Sequence, residues 1–147
     1  MKSLTNFNEL ATFSGELSDL KEIAKAILEL LPKSAIVLLN GNLAAGKTTL
    51  VSYIAKELGL NGASSPTFSL QQCYGDNIFH YDFYRVDFNQ IVSLGLVEEF
   101  EKSGIHFVEW ASDELLELLT KSGFKVYSID IVPKDSGREY KVGVYNG

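Results

Sequence analysis

A glycine-containing segment, residues 40–50, constrains the fold of this chain more than any other feature. Gly41, Gly46, Lys47 and Thr48 occupy the fixed positions of the pattern G-x-x-x-x-G-K-[ST]. In such a loop the glycines let backbone N–H groups wrap an anion, the lysine neutralises the outer phosphates of a nucleotide, and the threonine hydroxyl is a ligand of Mg²⁺. The segment is therefore predicted to be a phosphate-binding loop.

The sequence on both sides of the loop favours this interpretation over an ordinary glycine turn. Residues 35–39 form a continuous apolar run, which is typical of a strand buried on both faces of a parallel sheet. Apolar residues then recur at helical spacing from Leu50 to Leu58, and Gly59 stands where a helix is expected to end. A helix in this place directs the positive end of its dipole at the anion. The predicted nucleotide-binding residues of the loop are Gly41, Asn42, Leu43, Ala44, Ala45, Gly46, Lys47, Thr48 and Thr49.

The length and composition narrow the class of protein. A chain of 147 residues suits a single domain, predicted here to span 1–147. The net charge of −6 disfavours direct binding of nucleic acid, because the average surface repels a phosphate backbone. The first residues have no apolar centre of a signal peptide, and no segment approaches the ~20 apolar residues of a membrane span, so we expect a cytoplasmic protein. The single cysteine, Cys73, is interpreted as a half-buried thiol on a strand.

Alternating and helical apolar patterns follow one another along the chain and predict an α/β domain. We expect a mixed, mostly parallel central sheet flanked by helices, with one antiparallel hairpin, as in P-loop NTPase-like folds. A helix with Ser18 as its N-cap is expected to end at Pro32, a single helix to run from about residue 91 to Gly104, and another from Ser112 to residue 121. The predicted strands cover residues 7–13, 35–39, 67–74, 78–82, 105–108, 125–132 and 139–145, with residues 133–137 as a loop.

Two carboxylates stand at the ends of predicted strands, where a metal ion bound to nucleotide phosphates needs an acidic partner. Asp82 ends one strand and Glu109 ends another. A strand-end carboxylate is often only a solvated terminus or a helix cap, but a phosphate loop in the same chain favours a role in the site. The hydroxyls of Ser65 and Thr67 lie on a loop after the phosphate-loop helix, either as plain turn residues or as a segment that senses the γ-phosphate.

Other polar and aromatic residues carry weaker signals. His80 and His106 fall inside predicted strands, where a buried, hydrogen-bonded imidazole is favoured over a catalytic base or a metal ligand. Tyr84 and its neighbours favour packing in the hairpin, and Trp110 stays ambiguous. Arg85 and Arg138 are the only arginines, which disfavours a small-molecule kinase, because such enzymes bring several arginines to the transferring phosphoryl group.

Several of these motifs, taken together in their order and spacing, resemble the TsaE family, formerly called YjeE. They are the phosphate loop, the run Ser64-Ser65-Pro66-Thr67-Phe68, the run His80-Tyr81-Asp82-Phe83-Tyr84-Arg85, Gly95, and Val108-Glu109-Trp110. The resemblance extends from about residue 13 to residue 142. The combination of S-P-T-F, H-x-D-x-Y-R and V-E-W is far more specific than the phosphate loop alone.

The resemblance implies an ATPase that is required for threonylcarbamoylation of the adenosine next to the anticodon, position 37, in tRNAs that read ANN codons. In that family the protein docks on a complex of the proteins TsaB and TsaD, so that tRNA is reached indirectly, and ATP and Mg²⁺ are the ligands. Position by position, the resemblance implies that Lys47 binds the β- and γ-phosphates and that Thr48 and Glu109 hold Mg²⁺. It makes Asp82 the second essential carboxylate, Thr67 part of a switch segment, and Arg138 a basic residue near the nucleotide.

The phosphate loop departs from the usual family sequence G-D-L-G-A-G-K-T at two positions. Asn42 replaces the acidic residue and Ala44 replaces the middle glycine, so we expect binding to persist and the turnover rate to change. Ala111 replaces a proline that often follows Glu-Trp, with little expected effect. Two alternatives to an ATPase are a small-molecule kinase and a non-catalytic adaptor in which nucleotide only sets the affinity for a partner.

Overall fold

The computed structural model describes residues 7–42, 46–60 and 70–145. Within these residues the strands are β1 (Phe7–Gly15), β2 (Ala35–Asn40), β3 (Gln71–Tyr74), β4 (Ile78–Asp82), β5 (Ile105–Glu109), β6 (Val126–Lys134) and β7 (Gly137–Tyr145). The helices are α1 (Leu20–Leu30), α2 (Lys47–Glu57), α3 (Phe88–Ser93), α4 (Leu96–Glu99) and α5 (Asp113–Lys121), and a 3₁₀ turn, Leu17–Asp19, precedes α1. None of the helices in this described part of the chain has the length and apolar character that crossing a bilayer requires.

All the described strands join one sheet in the order β1-β7-β6-β2-β5-β4-β3. The four central strands, β6, β2, β5 and β4, run parallel, whereas β7 and β1 add antiparallel strands at one side and β3 adds one at the other. Parallel neighbours need crossover connections, and helices supply them here. The predicted α/β fold with a mixed sheet, a parallel centre and an antiparallel hairpin is confirmed.

Apolar side chains fill both faces of the central strands. On one face, α1 and α2 pack through residues such as Ile27 and Ile54 against Val37 and Phe107. On the other face, α3, α4 and α5 cover Leu38 and the neighbouring strands. Each fully buried aliphatic or aromatic side chain contributes on the order of 1.5–3 kcal/mol as an upper estimate. The central strand β2 is therefore apolar in every position until its last residue, Asn40, which explains why the sequence shows a run there rather than alternation.

The predicted single helix between residue 91 and Gly104 is wrong: the segment forms two short helices. Gly95 has φ +76, a left-handed conformation that interrupts the helix and stands directly before the first residue of α4. Asp87 caps α3 by accepting a hydrogen bond from the Gln90 backbone N–H, while the Gln90 side chain accepts from the Asp87 backbone. The apolar positions on both helices still reach one core, so their spacing resembles that of a continuous helix.

Ser18 was predicted to be the N-cap of α1, and this prediction is wrong. Ser18 lies inside the 3₁₀ turn, and Asp19 is the residue directly before the helix.

Two predicted strand boundaries also differ from the structure. The predicted loop at 133–137 is a tight hairpin in which Pro133 pairs with Arg138. Among the described residues the pairing of β6 with β2 ends at Asp130, and proline is tolerated in a part of a strand that has a neighbour on one side only. Of the strand predicted at 67–74, residues 67–69 lie outside the described part of the chain, and β3 begins only at Gln71.

Candidate functional site

The site lies where β2 gives way to α2. Gly46 has φ +97, a conformation that L side chains rarely adopt, and it places Lys47 as the first residue of α2. The first turn of the helix therefore follows the sharp bend directly, and its backbone N–H groups point toward the end of β2. Gly41, Asn42, Thr48 and Thr49 flank this bend, whereas Leu43, Ala44 and Ala45 lie outside the described residues.

Strand register brings Glu109 to the same place. Glu109 is the last residue of β5 and lies opposite Leu39 of β2 on one side and Asp82 of β4 on the other. Alternate residues of a strand share a face, and Phe107 of β5 packs in the core beneath α2, so Glu109 points to the α2 face as well. The Thr48 hydroxyl donates a hydrogen bond to Glu109 Oε2 at 2.9 Å. Two residues that are 61 positions apart in the chain are thus in contact.

Lys47 is buried, with 3% of its surface exposed, although it carries an ammonium group. Its Nζ donates to the Gly41 carbonyl oxygen at 2.8 Å, lies 4.0 Å from Glu109 Oε1, and stands 3.8 Å from the centroid of the Trp110 ring. Burial lowers the pKa of Lys47, and the negative charges of Glu109 and Asp82 oppose that effect only in part.

Glu109 is 5% exposed and has polar partners on both of its sides. His80 Nε2 lies 2.5 Å from Glu109 Oε2, the same oxygen that accepts from Thr48. Burial by itself raises the pKa of Glu109, but the hydrogen bond and charge of His80, the hydrogen bond of Thr48 and the Lys47 ammonium outweigh it, so the pKa lies below its ordinary value. The site therefore holds Glu109 as a carboxylate, the form that binds a metal ion.

Two residues of the site were not predicted from the sequence. His80 was interpreted as a structural imidazole and Trp110 was left ambiguous, yet both contact the cluster around Glu109. A signal for His80 existed: it precedes Asp82 by two positions on a predicted strand, so both share the face that β4 presents to α2. The sequence contained no comparable signal for Trp110, whose position depends on a left-handed backbone conformation with φ +62.

Asp82 ends β4 beside Glu109 in the sheet, but it is exposed rather than buried. Its Oδ1 accepts a hydrogen bond from the Tyr84 backbone N–H at 3.1 Å, which stabilises the turn after the strand. The charge of Asp82 reaches Lys47, since it raises the pKa of that ammonium. Asp82 is therefore close to the cluster without being hydrogen-bonded to Lys47, Thr48 or Glu109 in the structure.

Arg138 comes to the loop from β7. A Cβ atom placed on Gly46 would lie 3.3 Å from Cζ and Nε of Arg138, so the guanidinium group covers this glycine. Arg138 also hydrogen-bonds the side chain of Tyr140, which is buried. The structure thus places Arg138 over Gly46, the residue directly before Lys47. Thr67, the remaining predicted site residue, lies outside the described residues.

The oxygen atoms of Thr48 and Glu109 suit a Mg²⁺ ion that is also bound to the phosphates of a nucleotide better than a metal ion bound by protein side chains alone. Among residues 7–42, 46–60 and 70–145, no three His, Cys, Asp or Glu side chains converge on a metal position. Mg²⁺ prefers oxygen ligands and takes only one or two from protein when phosphates and water supply the rest. The Thr48 hydroxyl and the Glu109 carboxylate, 2.9 Å apart, are two such oxygens.

Two cavities lie far from this cluster, at the opposite edge of the sheet. One, of about 660 Å³, is lined by residues at the starts of β4 and β5 together with Leu28 and Leu58, and the other, of about 350 Å³, lies beside Phe100 and Phe124. In α/β sheets ligands bind outside the carboxyl ends of the parallel strands. The cluster around Lys47 is at that edge and the cavities are not, so the cluster is the better candidate for a functional site.

The fold and the site together define a class of protein: an α/β protein of the P-loop NTPase-like fold, with its lysine, hydroxyl and carboxylate at the carboxyl edge of the sheet. The sequence profile described as threonylcarbamoyl adenosine biosynthesis protein TsaE matches residues 14–140. The chain belongs to the TsaE family.

Individual relatives agree with this assignment, and a solved structure has the same fold. The chain is 42% identical over 106 residues to the tRNA threonylcarbamoyladenosine biosynthesis protein TsaE of Rickettsia typhi, which covers 68% of this chain and 72% of that protein. It is 37% identical over 95 residues to the protein of that name from Bacillus subtilis, covering 62% of this chain and 60% of the relative. The match therefore spans about 60% of the length of the Bacillus subtilis relative. A crystal structure of Bacillus subtilis YdiB has the same fold, with a TM-score of 0.65 at 24% identity over 95% of this chain and 88% of that one.

Proposed function

We propose that this chain is a Mg²⁺-dependent ATPase of the cytoplasm, which acts with TsaB and TsaD in the threonylcarbamoylation of adenosine 37 in tRNAs reading ANN codons. Membership of the TsaE family supports the pathway. The convergence of Lys47, Thr48 and Glu109 at the first turn of α2 is the observation that carries the ATPase part of the proposal. Contact with tRNA is then indirect, in keeping with the net charge of −6.

In this proposal the residues of the site have three roles in phosphoryl transfer: they bind phosphate, bind Mg²⁺ and orient the attacking water. The first turn of α2 and the Lys47 ammonium bind the β- and γ-phosphates, and Arg138 adds positive charge above Gly46. The Thr48 hydroxyl and the Glu109 carboxylate would hold Mg²⁺, and the bound ion would supply positive charge to the phosphate oxygens. Asp82, exposed beside Glu109, orients the attacking water. Thr67 belongs to a segment that responds to the γ-phosphate.

Hydrolysis by the isolated chain is expected to be slow. An arginine directed at the transferring phosphoryl group is worth about 10³–10⁵ in rate when a partner supplies it, and this chain has only Arg85 and Arg138. Partner proteins that supply positive charge at the phosphates should therefore raise the rate. The test is phosphate release by the chain with and without TsaB and TsaD. Rapid and equal turnover in both conditions would contradict the dependence on partners.

A nucleotide-binding adaptor without hydrolysis is the second candidate. The observation that favours it is the hydrogen bond from the Tyr84 N–H to Asp82, because this bond gives the carboxylate a structural use. Asp82→Asn keeps an acceptor for Tyr84 but removes the charge. If hydrolysis is required, this variant binds ATP and fails to support tRNA modification. If the adaptor description is correct, the variant supports modification as well as the wild type does.

A further inference from the structure

The Lys47 ammonium already has one hydrogen bond, one ion-pair contact and one aromatic contact in the nucleotide-free structure. It has three N–H donors. One is used by the Gly41 carbonyl oxygen at 2.8 Å, Glu109 Oε1 lies at 4.0 Å, and the face of the Trp110 ring lies at 3.8 Å. With 3% of its surface exposed, Lys47 has little access to water that could replace these partners. A phosphate chain must therefore compete with them for the ammonium.

Trp110 is held over Lys47 by its backbone. Of the non-glycine residues that the structure describes, only Trp110 and Arg85 have positive φ, at +62 and +59. A bulky residue in this region is disfavoured, and such conformations concentrate where function requires a particular side-chain position. Glu109, a proposed metal ligand, is the residue directly before Trp110. The strained turn thus places a carboxylate and an aromatic face on two sides of one ammonium.

The ring of Trp110 also leads outward to the surface. It lies 5.0 Å from the Tyr84 ring at an interplanar angle of 51°, and the guanidinium carbon of Arg85 lies 5.0 Å from the Tyr84 centroid. Trp110 is 36% exposed and Tyr84 is 37% exposed. We call the series Lys47, Trp110, Tyr84 and Arg85 the cation–aromatic ladder. At its inner end Lys47 contacts the Trp110 ring, and at its outer end Arg85 contacts the Tyr84 ring. The ladder therefore extends from the buried ammonium to the solvent-exposed surface.

We propose that Trp110 is a positioning residue that binds the Lys47 ammonium in the nucleotide-free chain and releases it to the phosphates of a nucleotide. This inference rests on the proposed function, since it requires that Lys47 bind phosphate. The attraction of an ammonium to a ring is weaker than its attraction to a phosphate oxyanion, so the phosphates win the competition. Release leaves the Trp110 ring without its cation. The side chains of Trp110, Tyr84 and Arg85 are then free to change their packing.

The fluorescence of Trp110 reports the release directly, because it is the only tryptophan of the chain. We expect ATP, ADP and inorganic tripolyphosphate, each with Mg²⁺, to change the emission of the wild-type chain, and adenosine to leave it unchanged. Tripolyphosphate has no base, so its effect cannot come from a base stacked on the indole. A response to adenosine that equals the response to ATP would overturn the proposal.

Two substitutions at Trp110 test the competition. Trp110→Leu removes the ring face, and Trp110→Phe retains a weaker one. Calorimetry should show that Trp110→Leu binds tripolyphosphate several-fold more tightly than the wild type and that Trp110→Phe lies between them. Equal or weaker binding by both variants would contradict the proposal, because loss of a ring that competes for Lys47 must tighten phosphate binding, and a graded effect of Leu and Phe follows the strength of the cation–ring contact. If Trp110→Leu does not fold, the Phe variant and the wild-type fluorescence decide.

The same measurements separate this inference from the proposed function. Calorimetry on the wild type establishes whether nucleotide binds at all. If nucleotide binds and the Trp110 emission stays constant, Lys47 leaves its resting place without disturbing the ring, and only the proposal for Trp110 is overturned. If ATP does not bind at millimolar concentration, the proposed ATPase site fails and the release of Lys47 fails with it.

Discussion

Position 46 requires a glycine for two reasons: its backbone is left-handed, and the Arg138 side chain crowds the space of a Cβ atom. Its φ of +97 excludes most side chains, and the Arg138 guanidinium lies 3.3 Å from where a Cβ would stand. We expect Gly46→Ala to lower the free energy of unfolding by about 1–3 kcal/mol, because of backbone strain, and to displace Arg138 from the loop. Urea unfolding measures the first effect, and calorimetry with ATP should show at least a tenfold weaker complex.

Gly123 provides a matched control for that substitution. Its φ is +94, nearly that of Gly46, but no atom of the residues that the structure describes lies within 4 Å of a Cβ placed on it. Gly123→Ala should therefore carry a similar strain in the free energy of unfolding while leaving ATP affinity unchanged. If both variants weaken ATP binding equally, general destabilisation rather than the displacement of Arg138 explains the effect at Gly46.

How far individual site residues could be predicted depends on whether their placement is local. Gly46 and Lys47 belong to one short motif whose geometry is contained in its own backbone, so the sequence indicates them directly. Glu109 could be proposed because strand ends meet at one edge of a parallel sheet. The contact of His80 with Glu109 depends on the alignment of β4 with β5, and that of Trp110 with Lys47 on a strained φ. Neither is encoded in a local pattern.

A buried polar network ties β3, β4 and β5 to α4. His106 Nε2 donates to the Lys102 carbonyl oxygen at 2.8 Å, which leaves Nδ1 to accept from the Tyr81 hydroxyl at 2.7 Å. Gln71 in turn donates to Tyr81 at 3.1 Å and to Glu99 at 3.2 Å. The imidazole is therefore neutral with its proton on Nε2. Burial lowers the pKa of His106 despite the hydrogen bond to Lys102, so the folded chain resists protonation there.

This network predicts a dependence of stability on pH. The unfolded chain takes up a proton on His106 as the pH falls below about 6.5, whereas the folded chain takes it up only at lower pH. The contribution to stability is thus complete above about pH 6.5 and declines below it, with a slope of at most about 1.4 kcal/mol per pH unit. Urea unfolding of the wild type and of His106→Gln between pH 7.5 and 5 should give curves that converge as the pH falls. Parallel curves would show that His106 does not contribute.

The helices differ in how well the sequence indicates their ends. The predicted start of α5 is confirmed, since Ser112 Oγ accepts from the Leu115 N–H at 3.1 Å. The break at Gly95 was missed, because the apolar spacing on its two sides continues a helical pattern and one glycine within such a pattern is tolerated. A cap made by a local hydrogen bond is therefore easier to predict than a helix break at a glycine within a continuous apolar pattern.

Removal of the Ser112 cap should have a measurable and purely structural effect. Ser112→Ala leaves an N–H of the first turn of α5 without its side-chain acceptor, which costs about 1 kcal/mol. For a chain of this size that corresponds to a fall in Tm of about 2–4 °C. Calorimetry should record it with ATP affinity unchanged. Ser122→Ala at the other end of α5 is the comparison, and an equal fall in Tm there would contradict a capping effect.

The sheet order explains why the final hairpin could not be placed from the sequence. β7 follows β6 in the chain and pairs with it. β1 pairs with the other side of β7 as the edge strand of the sheet, so the first and last strands of the chain are neighbours. The apolar alternation of β7 indicated its buried face correctly: Tyr140, Val142 and Val144 lie in the core under α1 and α2. It did not indicate the tight turn that sets Arg138 over Gly46, because that position depends on the register of the hairpin with β1 and β2.

This long-range placement predicts a specific role for Arg138. Its guanidinium covers Gly46, although Arg138 follows Gly46 by 92 positions in the chain. A charge-assisted hydrogen bond to phosphate contributes about 1.5–3 kcal/mol, so Arg138→Ala should weaken ATP binding at least tenfold and Arg138→Lys by less. Lys134→Ala on the same hairpin removes only an exposed ion pair with Glu139 at 3.7 Å and should leave affinity unchanged. If calorimetry at two salt concentrations shows equal losses for Arg138→Ala and Lys134→Ala, the hairpin acts through its overall charge, and the contact over Gly46 has no separate part in binding.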